Sequence, residues 1–121
     1  MSKNYVAQGM TLDYDNTGAA ISSGDVVVVG NIIGVAKDDI AATTGTGVLD
    51  IVGVFTIPKV STAVIAQGEG VIWDSSLSAV EDSAATPAAG DITFCGVAME
   101  AAGNGVTEIA VKINTNPGAL T

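Results

Sequence analysis

Apolar and polar residues alternate along much of this chain, and apolar residues at helical spacing are hard to find. The clearest alternation runs from Val48 to Ile57. One face of this segment carries Leu49, Ile51, Phe55 and Ile57, and the other carries Val48, Asp50, Val52, Val54 and Thr56. Successive side chains of a strand point to opposite faces, so the segment is predicted to be a strand.

A second alternating segment lies near the end of the sequence. Its apolar positions are Ile109, Val111 and Ile113, and the residues between them are Glu108, Ala110 and Lys112. This pattern predicts a half-exposed strand.

The run Val26–Val29 is apolar at every position, which is typical of a central strand or of one covered on both faces. Gly30-Asn31 separates this run from Ile32–Ala36, and two such residues between strands predict a hairpin. Further strands are predicted at Tyr5–Gln8, Met10–Tyr14, Gly70–Trp73, Ser78–Val80 and Ile92–Met99.

Eight or nine short strands at regular spacing predict an all-β, single-domain antiparallel sandwich or barrel. The core is predicted to come from four segments, which are Val26–Val29, Leu49–Ile57, Phe94–Val97 and Ile109–Ile113. A chain of 121 residues fits one such domain. We expect residues 10–113 to form it, between an N-terminal arm at 1–9 and a C-terminal tail at 114–121. At least one terminus is expected to be an extended arm that a neighbouring subunit orders.

A short element recurs three times in the sequence. Gly24-Asp25, Gly68-Glu69 and Gly90-Asp91 each stand directly before an apolar strand. Gly-Asp is common turn chemistry, so we interpret the repeat as structural.

Composition agrees with a β-protein that has a partner. Apolar residues make up 48% of the chain but aromatic residues only 4%, so the apolar content is mainly Val, Ile and Ala, and its β-branched part favours strands. The mean hydropathy is positive, which suggests that a partner covers some apolar surface. Thirteen acidic residues against four basic ones give a net charge of −9, which argues against nucleic acid and against an anionic membrane as partners. An acidic surface serves solubility, and it also attracts a basic partner.

The sequence lacks the residue types of most catalytic sites. It contains no histidine, the commonest general base and metal ligand, and its one cysteine, Cys95, lies in an apolar run where a buried position is expected. No phosphate-binding loop or dinucleotide fingerprint is present. We therefore predict that the protein is not an enzyme, and assign no catalytic, cofactor-binding or metal-binding residues.

Four groups of polar residues have the side chains that chemistry at a site could use. Residues 13–18 (Asp-Tyr-Asp-Asn-Thr-Gly) imitate the start of a calcium loop, but the twelfth position is Gly24 instead of glutamate, which favours a polar turn. The acid pairs Asp38-Asp39 and Glu81-Asp82 are interpreted as solvated turn residues. Trp73-Asp74 is expected to end a strand, with the indole over the core and the acid in water.

The ordered series of these segments resembles a family of small phage proteins called capsid cement or head decoration proteins. The resemblance runs from Tyr5 to Ile113. It rests on these motifs in order: Tyr5–Gly9, Leu12–Tyr14, Gly24–Gly30, Gly34–Ala36, Gly53–Lys59, Gly68–Asp74 and Gly96–Ala102. Members are sometimes labelled RecA-like recombinases, a label that this short acidic chain without a phosphate-binding loop contradicts.

The resemblance implies a structural virion protein on the outer surface of a bacteriophage capsid, bound to the major capsid protein. It also implies a homo-oligomer, with a trimer favoured over a dimer. Met1 to Tyr5 lack the apolar core of a signal peptide, so synthesis in the host cytoplasm is expected. The alternative is a β-module of a phage spike or fibre base that binds a receptor or glycan. A glycan site calls for several exposed aromatic rings, and the chain has only five aromatic residues.

Overall fold

The computed structural model describes residues 3–116 and 118–121, and all regular elements in those ranges are β-strands. The strands are β1 (Thr11–Asp15), β2 (Val26–Val29), β3 (Ile32–Ala36), β4 (Thr46–Asp50), β5 (Gly53–Pro58), β6 (Gly70–Asp74), β7 (Ala79–Glu81), β8 (Ile92–Ala98), β9 (Glu108–Ile113) and β10 (Ala119–Leu120). They form two antiparallel sheets, which confirms the predicted all-β class and the sandwich.

The smaller sheet has the order β1-β4-β3-β2, and its strand β2 forms one edge. Both faces of β2 are nevertheless covered. Val26 and Val28 pack against the main core between the sheets, and Val27 and Val29 pack against a second small cluster around Ala36, Ile40 and Leu49. Of the two alternatives that the sequence predicted, a central strand or a strand covered on both faces, the second is confirmed, because apolar residues on both faces indicate side-chain burial and not backbone pairing.

The larger sheet has the order β5-β9-β8-β6-β7, with β10 paired to β8 beyond the end of β9. Its two outer strands meet at a parallel bridge between Lys59 and Val80, so the sheet curls around the main core. Inward side chains of this core include Ile57, Val71, Trp73, Ile109 and Val111. The predicted alternation of β9 is confirmed, since Ile109, Val111 and Ile113 are buried while Glu108 and Lys112 are exposed.

The segment from Val48 to Ile57 is two strands and not the single strand predicted. β4 ends at Asp50 in the smaller sheet, and β5 begins at Gly53 in the larger one. Gly53 has a φ of 134°, a conformation that L side chains rarely adopt, where the chain passes between sheets. The predicted inward and outward faces are confirmed at these positions, because Leu49 and Ile57 are buried and Val48 and Val54 are exposed.

Three further predictions need correction. Tyr5–Gln8 is not a strand, and its residues are exposed. Phe94 is exposed and Val97 is half-buried outside the core, although both were assigned to it, while Cys95 between them is buried. The described residues hold ten strands instead of eight or nine, and the added ones are the short β10 and the second half of the 48–57 segment.

The predicted hairpin at Gly30-Asn31 is present between β2 and β3, with Val29 opposite Ile32. Gly30 has a φ of 59°, while Asn31 is not among the residues of positive φ. A positive φ at only the first central residue is the pattern of a type II′ turn, which matches the twist of the flanking strands.

The recurring Gly-acid element is one turn built three times. Gly24, Gly68 and Gly90 have φ values of 88°, 86° and 92°, as a type II turn requires at its third residue. In each turn the acid that follows donates its backbone N–H to the residue three positions earlier, and its carboxylate accepts the N–H of that same residue. The pairs are Asp25 with Ser22, Glu69 with Ala66, and Asp91 with Ala88. The turn therefore fixes the entry of β2, β6 and β8.

Candidate functional site

The calcium-like segment does not form a metal loop. Asp13 and Asp15 belong to β1, and the Asn16 side chain is buried, where its amide donates to the carbonyl oxygens of Ala19 (2.8 Å) and Ala41 (3.0 Å). Its Oδ1 accepts the Gly18 N–H at 3.0 Å, so it is engaged in a polar turn. Among the residues described, no group of three or more acids or cysteines could hold a metal ion.

Asp38, Asp39 and Asp82 lie outside the strands, as predicted, but Glu81 is the half-buried last residue of β7 and not a solvated turn residue. Asp39 accepts the N–H of Ser23 at 2.8 Å, and Asp82 accepts the N–H of Ala84 at 3.0 Å. Burial raises the pKa of Glu81, and the nearby negative charge of Asp74 adds to that effect. The Asp74 pKa is lowered, chiefly by the hydroxyl of Ser76, which donates to it at 2.7 Å. Asp74 also accepts the N–H groups of Ser76 and Leu77, and so fixes the β6–β7 turn.

Cys95 and Trp73 take the core positions expected of them. Burial raises the pKa of the Cys95 thiol to about 12, so the thiol is protonated at neutral pH and is a poor nucleophile. The Trp73 indole is 4% exposed within the main core. Tyr14 and Phe55 are half-buried, which leaves Tyr5 and Phe94 as exposed rings.

Lys59 is a buried charged residue that no sequence pattern singles out. It is 3% exposed, and its ammonium donates to the carbonyl oxygens of Val60 (2.8 Å), Gly103 (3.1 Å) and Val106 (2.9 Å). A buried charge is costly unless its hydrogen-bonding capacity is met, and three carbonyls meet it here. The contact ties the end of β5 to the loop that precedes β9.

A further candidate site is the outward side of the larger sheet. Val54, Lys112, Val97 and Gly70 are successive cross-strand partners on β5, β9, β8 and β6, and so form one row on that side. At one end of this row the exposed side chain of Val54 lies beside Lys112, and at the other end the exposed ring of Phe94 lies over Gly70. We call this region the outer face and define it by Val54, Phe94, Val97, Ala110 and Lys112.

Phe94 is held on the outer face by an unusual backbone. Its φ is 55°, which is uncommon for any residue with a side chain and costs free energy of order 1 to 3 kcal/mol where it persists. Its ring lies over Gly70, because a Cβ atom at that glycine would stand 2.6 Å from the ring atoms Cδ2 and Cε2. Backbone strain of this kind is found mainly at functional sites, so Phe94 is a candidate contact residue.

The acidic residues form a separate surface on the smaller sheet. Asp13 and Asp15 of β1 lie on the same side as Asp50 of β4, since their cross-strand partners are Val48, Thr46 and Thr11. Lys37 forms an exposed ion pair with Asp50 at 3.5 Å. The apolar outer face and the acidic side of the smaller sheet are thus different parts of the molecule.

Comparison with known protein families gives a match for this sequence. The family model described as "Phage cement protein" matches residues 6–113. No curated protein matches the sequence. Within the described ranges, the structure also contains no helix that is long and apolar enough to cross a membrane.

Proposed function

We propose, because the chain belongs to the phage cement protein family, that it binds the outer surface of the assembled bacteriophage head and stabilises that shell. The major capsid protein is the proposed partner. The family match carries this proposal, and the exposed apolar outer face supports it. A structural role of this kind needs contact area and no reactive group.

The outer face is the proposed contact with the shell. It presents Val54, Val97 and the Phe94 ring on a rigid sheet, so few side chains lose conformational freedom on binding. Aromatic residues surrounded by smaller contacts often dominate the energetics of an interface. Many identical weak contacts on one particle then add up through avidity.

Stabilisation follows from preferential binding. A protein that binds the assembled, expanded shell and not its dissociated subunits shifts the equilibrium towards assembly by mass action. The net charge of −9 steers the free protein towards basic regions of the shell. We further propose that the bound form is a homo-oligomer, with a trimer favoured over a dimer.

The direct test compares heads with and without the protein. Undecorated heads are expected to rupture at a lower temperature, and added purified protein is expected to restore their resistance. Two variants then locate the contact. Val54→Glu places a charge on the outer face, and Val64→Glu places the same charge at another exposed valine, in the loop between β5 and β6.

We expect Val54→Glu to bind heads at least tenfold more weakly and Val64→Glu to bind like the parent protein. Equal thermal stability of decorated and bare heads would refute the stabilising role. Undiminished binding of Val54→Glu would refute the outer face as the contact. The number of copies per particle distinguishes this proposal from the alternative function. A cement protein is present in hundreds of copies per head, and a module of a spike or fibre base in few.

A further inference from the structure

The strand β2 is an unprotected sheet edge. It pairs with β3 on one side only, and in the order of the smaller sheet no described strand lies beyond it. Val28 stands opposite Ile33, whose backbone N–H and C=O both bond to the Asn114 side chain on the far side of β3. Val28 therefore directs its own backbone N–H and C=O away from β3, towards the open edge. Val26, two residues earlier in the strand, does the same.

Natural proteins protect such edges with charges, prolines or bulges, because an open edge pairs with other strands. The sequence of β2 is four valines, so it carries none of those residues. Each valine is half-buried, and both sides of the strand are already packed. What remains open at β2 is its row of backbone hydrogen-bonding groups.

A cleft adjoins the start of this edge. It has a volume of about 250 Å³ and is lined by Gly24, Asp25, Val26, Pro58, Trp73 and Ser78. An indole and a proline ring suit a large apolar or aromatic side chain, and Asp25 and Ser78 offer polar groups to a phenol hydroxyl. A strand laid along β2 would pass this cleft.

The N-terminal segment has the complementary property. Residues 5–8 have the composition of a strand but no ladder partner, and Tyr5 and Val6 are 52% and 92% exposed. A segment of this kind can pair with a free sheet edge as an added strand. In such pairing the backbone hydrogen bonds supply the affinity, and a pocket for one side chain supplies the specificity. Lys3 lies next to this segment, and its positive charge is attracted to a second copy of the chain, which carries a net charge of −9.

The segment cannot reach its own β2. The strands β1 and β2 are opposite edges of the smaller sheet, so a strand added beyond β2 would lie about 19 Å from β1 at four strand spacings. Gln8 is three residues from the start of β1 at Thr11, a span of at most about 10 Å. The occupant of this edge therefore comes from another molecule.

We propose that residues 4–8 of one copy add as a parallel strand to the free edge of β2 of a second copy, with Tyr5 in the adjoining cleft. This contact joins copies of the chain and does not depend on binding to a capsid. It is therefore tested on the free protein, where its failure leaves the proposed capsid contact untouched.

The first test is cross-linking between separately produced chains. An Asn4→Cys chain mixed with an Asp25→Cys chain is expected to give a disulfide-linked heterodimer, because both positions lie at the start of the paired strands. The natural Cys95 is buried and has a raised thiol pKa, so it is not expected to form disulfides in this experiment. Thr56→Cys, exposed on β5, replaces Asp25→Cys in the control mixture and is expected to give no product above random collision.

The second test removes the proposed anchor. Tyr5→Ser is expected to lower the mass of the assembly in solution, measured by light scattering after gel filtration. Met10→Ser, at an equally exposed residue that precedes β1, is expected to leave the mass unchanged. A heterodimer formed with Asn31→Cys instead of Asp25→Cys would contradict the proposal, because Tyr5 would then lie at the wrong end of β2. A monomeric parent protein, or equal masses for the two serine variants, would also overturn it.

Discussion

The side chain of Asn114 pairs with both backbone polar groups of Ile33. Its Oδ1 accepts the Ile33 N–H at 3.1 Å, and its amide nitrogen donates to the Ile33 C=O at 2.6 Å and to the Ile51 C=O at 2.9 Å. The ladder between β3 and β4 covers only Val35 and Ala36, so Asn114 takes the place of a strand partner where β4 ends. One side chain after β9 thereby joins the two sheets.

Replacing Asn114 is expected to destabilise the fold strongly. Asn114→Ala leaves three backbone groups without partners and keeps a φ of 53° that alanine disfavours, so we expect a loss of about 3 kcal/mol in the free energy of unfolding. Asn114→Gly relieves the backbone strain alone and should recover about 1 kcal/mol of that loss. Urea unfolding measures both variants.

Asn116→Ala is the control for this prediction, because Asn116 is exposed and two residues further along the same turn. Its urea midpoint is expected to match that of the parent protein. An Asn114→Ala midpoint equally close to the parent value would show that the two sheets are held together without this amide.

Lys59 is expected to hold the loop that precedes β9. Lys59→Met keeps the length of the side chain but leaves the carbonyl oxygens of Val60, Gly103 and Val106 without their donor, so we expect a loss of about 2 kcal/mol in stability. Hydrogen exchange should accelerate first at Gly105, whose N–H donates to the Ser61 C=O across this loop. Lys112→Met, at an exposed lysine of β9, should change neither quantity.

Glu69 is expected to make stability depend on pH in the acid range. Its carboxylate accepts the N–H of Ala66 and both the N–H and the hydroxyl of Ser83, and these bonds hold the Glu69 pKa below its ordinary value of 4.5. A lowered pKa in the folded state stabilises the protein above pH 4.5, and this contribution is lost as the pH falls through the folded value. Glu69→Gln should therefore unfold at lower urea than the parent near pH 7.

The difference between the parent protein and Glu69→Gln should shrink as the pH is lowered below 4.5. The raised pKa of Glu81 acts in the opposite direction, but it is common to both proteins and cancels in their difference. Glu108→Gln, at an exposed position of β9, serves as the control for removing one negative charge from this acidic chain. A Glu69→Gln difference that stays constant from pH 7 to below pH 4 would contradict this role for the carboxylate.

Replacing Phe94 is expected to weaken binding to heads with little change in the stability of the fold. Phe94→Gly removes both the backbone strain at a φ of 55° and the ring that lies on Gly70, so we expect the free energy of unfolding to change by less than about 1 kcal/mol. Binding to undecorated heads, measured by co-sedimentation, should weaken at least tenfold. Leu77→Gly, at an exposed leucine in the β6–β7 turn, should bind like the parent protein. Full binding by Phe94→Gly would exclude the ring from the capsid contact.

Raised salt is expected to weaken the binding of free protein to heads. A net charge of −9 contributes long-range attraction to a basic surface, and about 1 M salt shortens the screening length to about 3 Å. A parent protein whose binding is equal at low and high salt would show that apolar contact alone accounts for the affinity.

The sequence by itself determined the β class, the alternation of buried and exposed positions, and the turns. Ile109, Val111 and Ile113 are buried as their spacing predicts, and Gly24, Gly68 and Gly90 mark one repeated turn. These features are local. Period-two patterning and positive φ at glycine depend on residues close together in the chain, so the linear order of residues contains the information.

Only the tertiary structure decided which strands share a sheet and which apolar residues face outward. The alternation from Val48 to Ile57 runs on unbroken while the chain passes from one sheet to the other, because each strand needs the same inward face. Phe94 is exposed because its left-handed backbone turns the ring away from the core, which its apolar neighbours do not reveal. Asn114 and Ile33 are 81 residues apart, and Lys59 is 44 and 47 residues from Gly103 and Val106, so only the packed sheets bring these partners together.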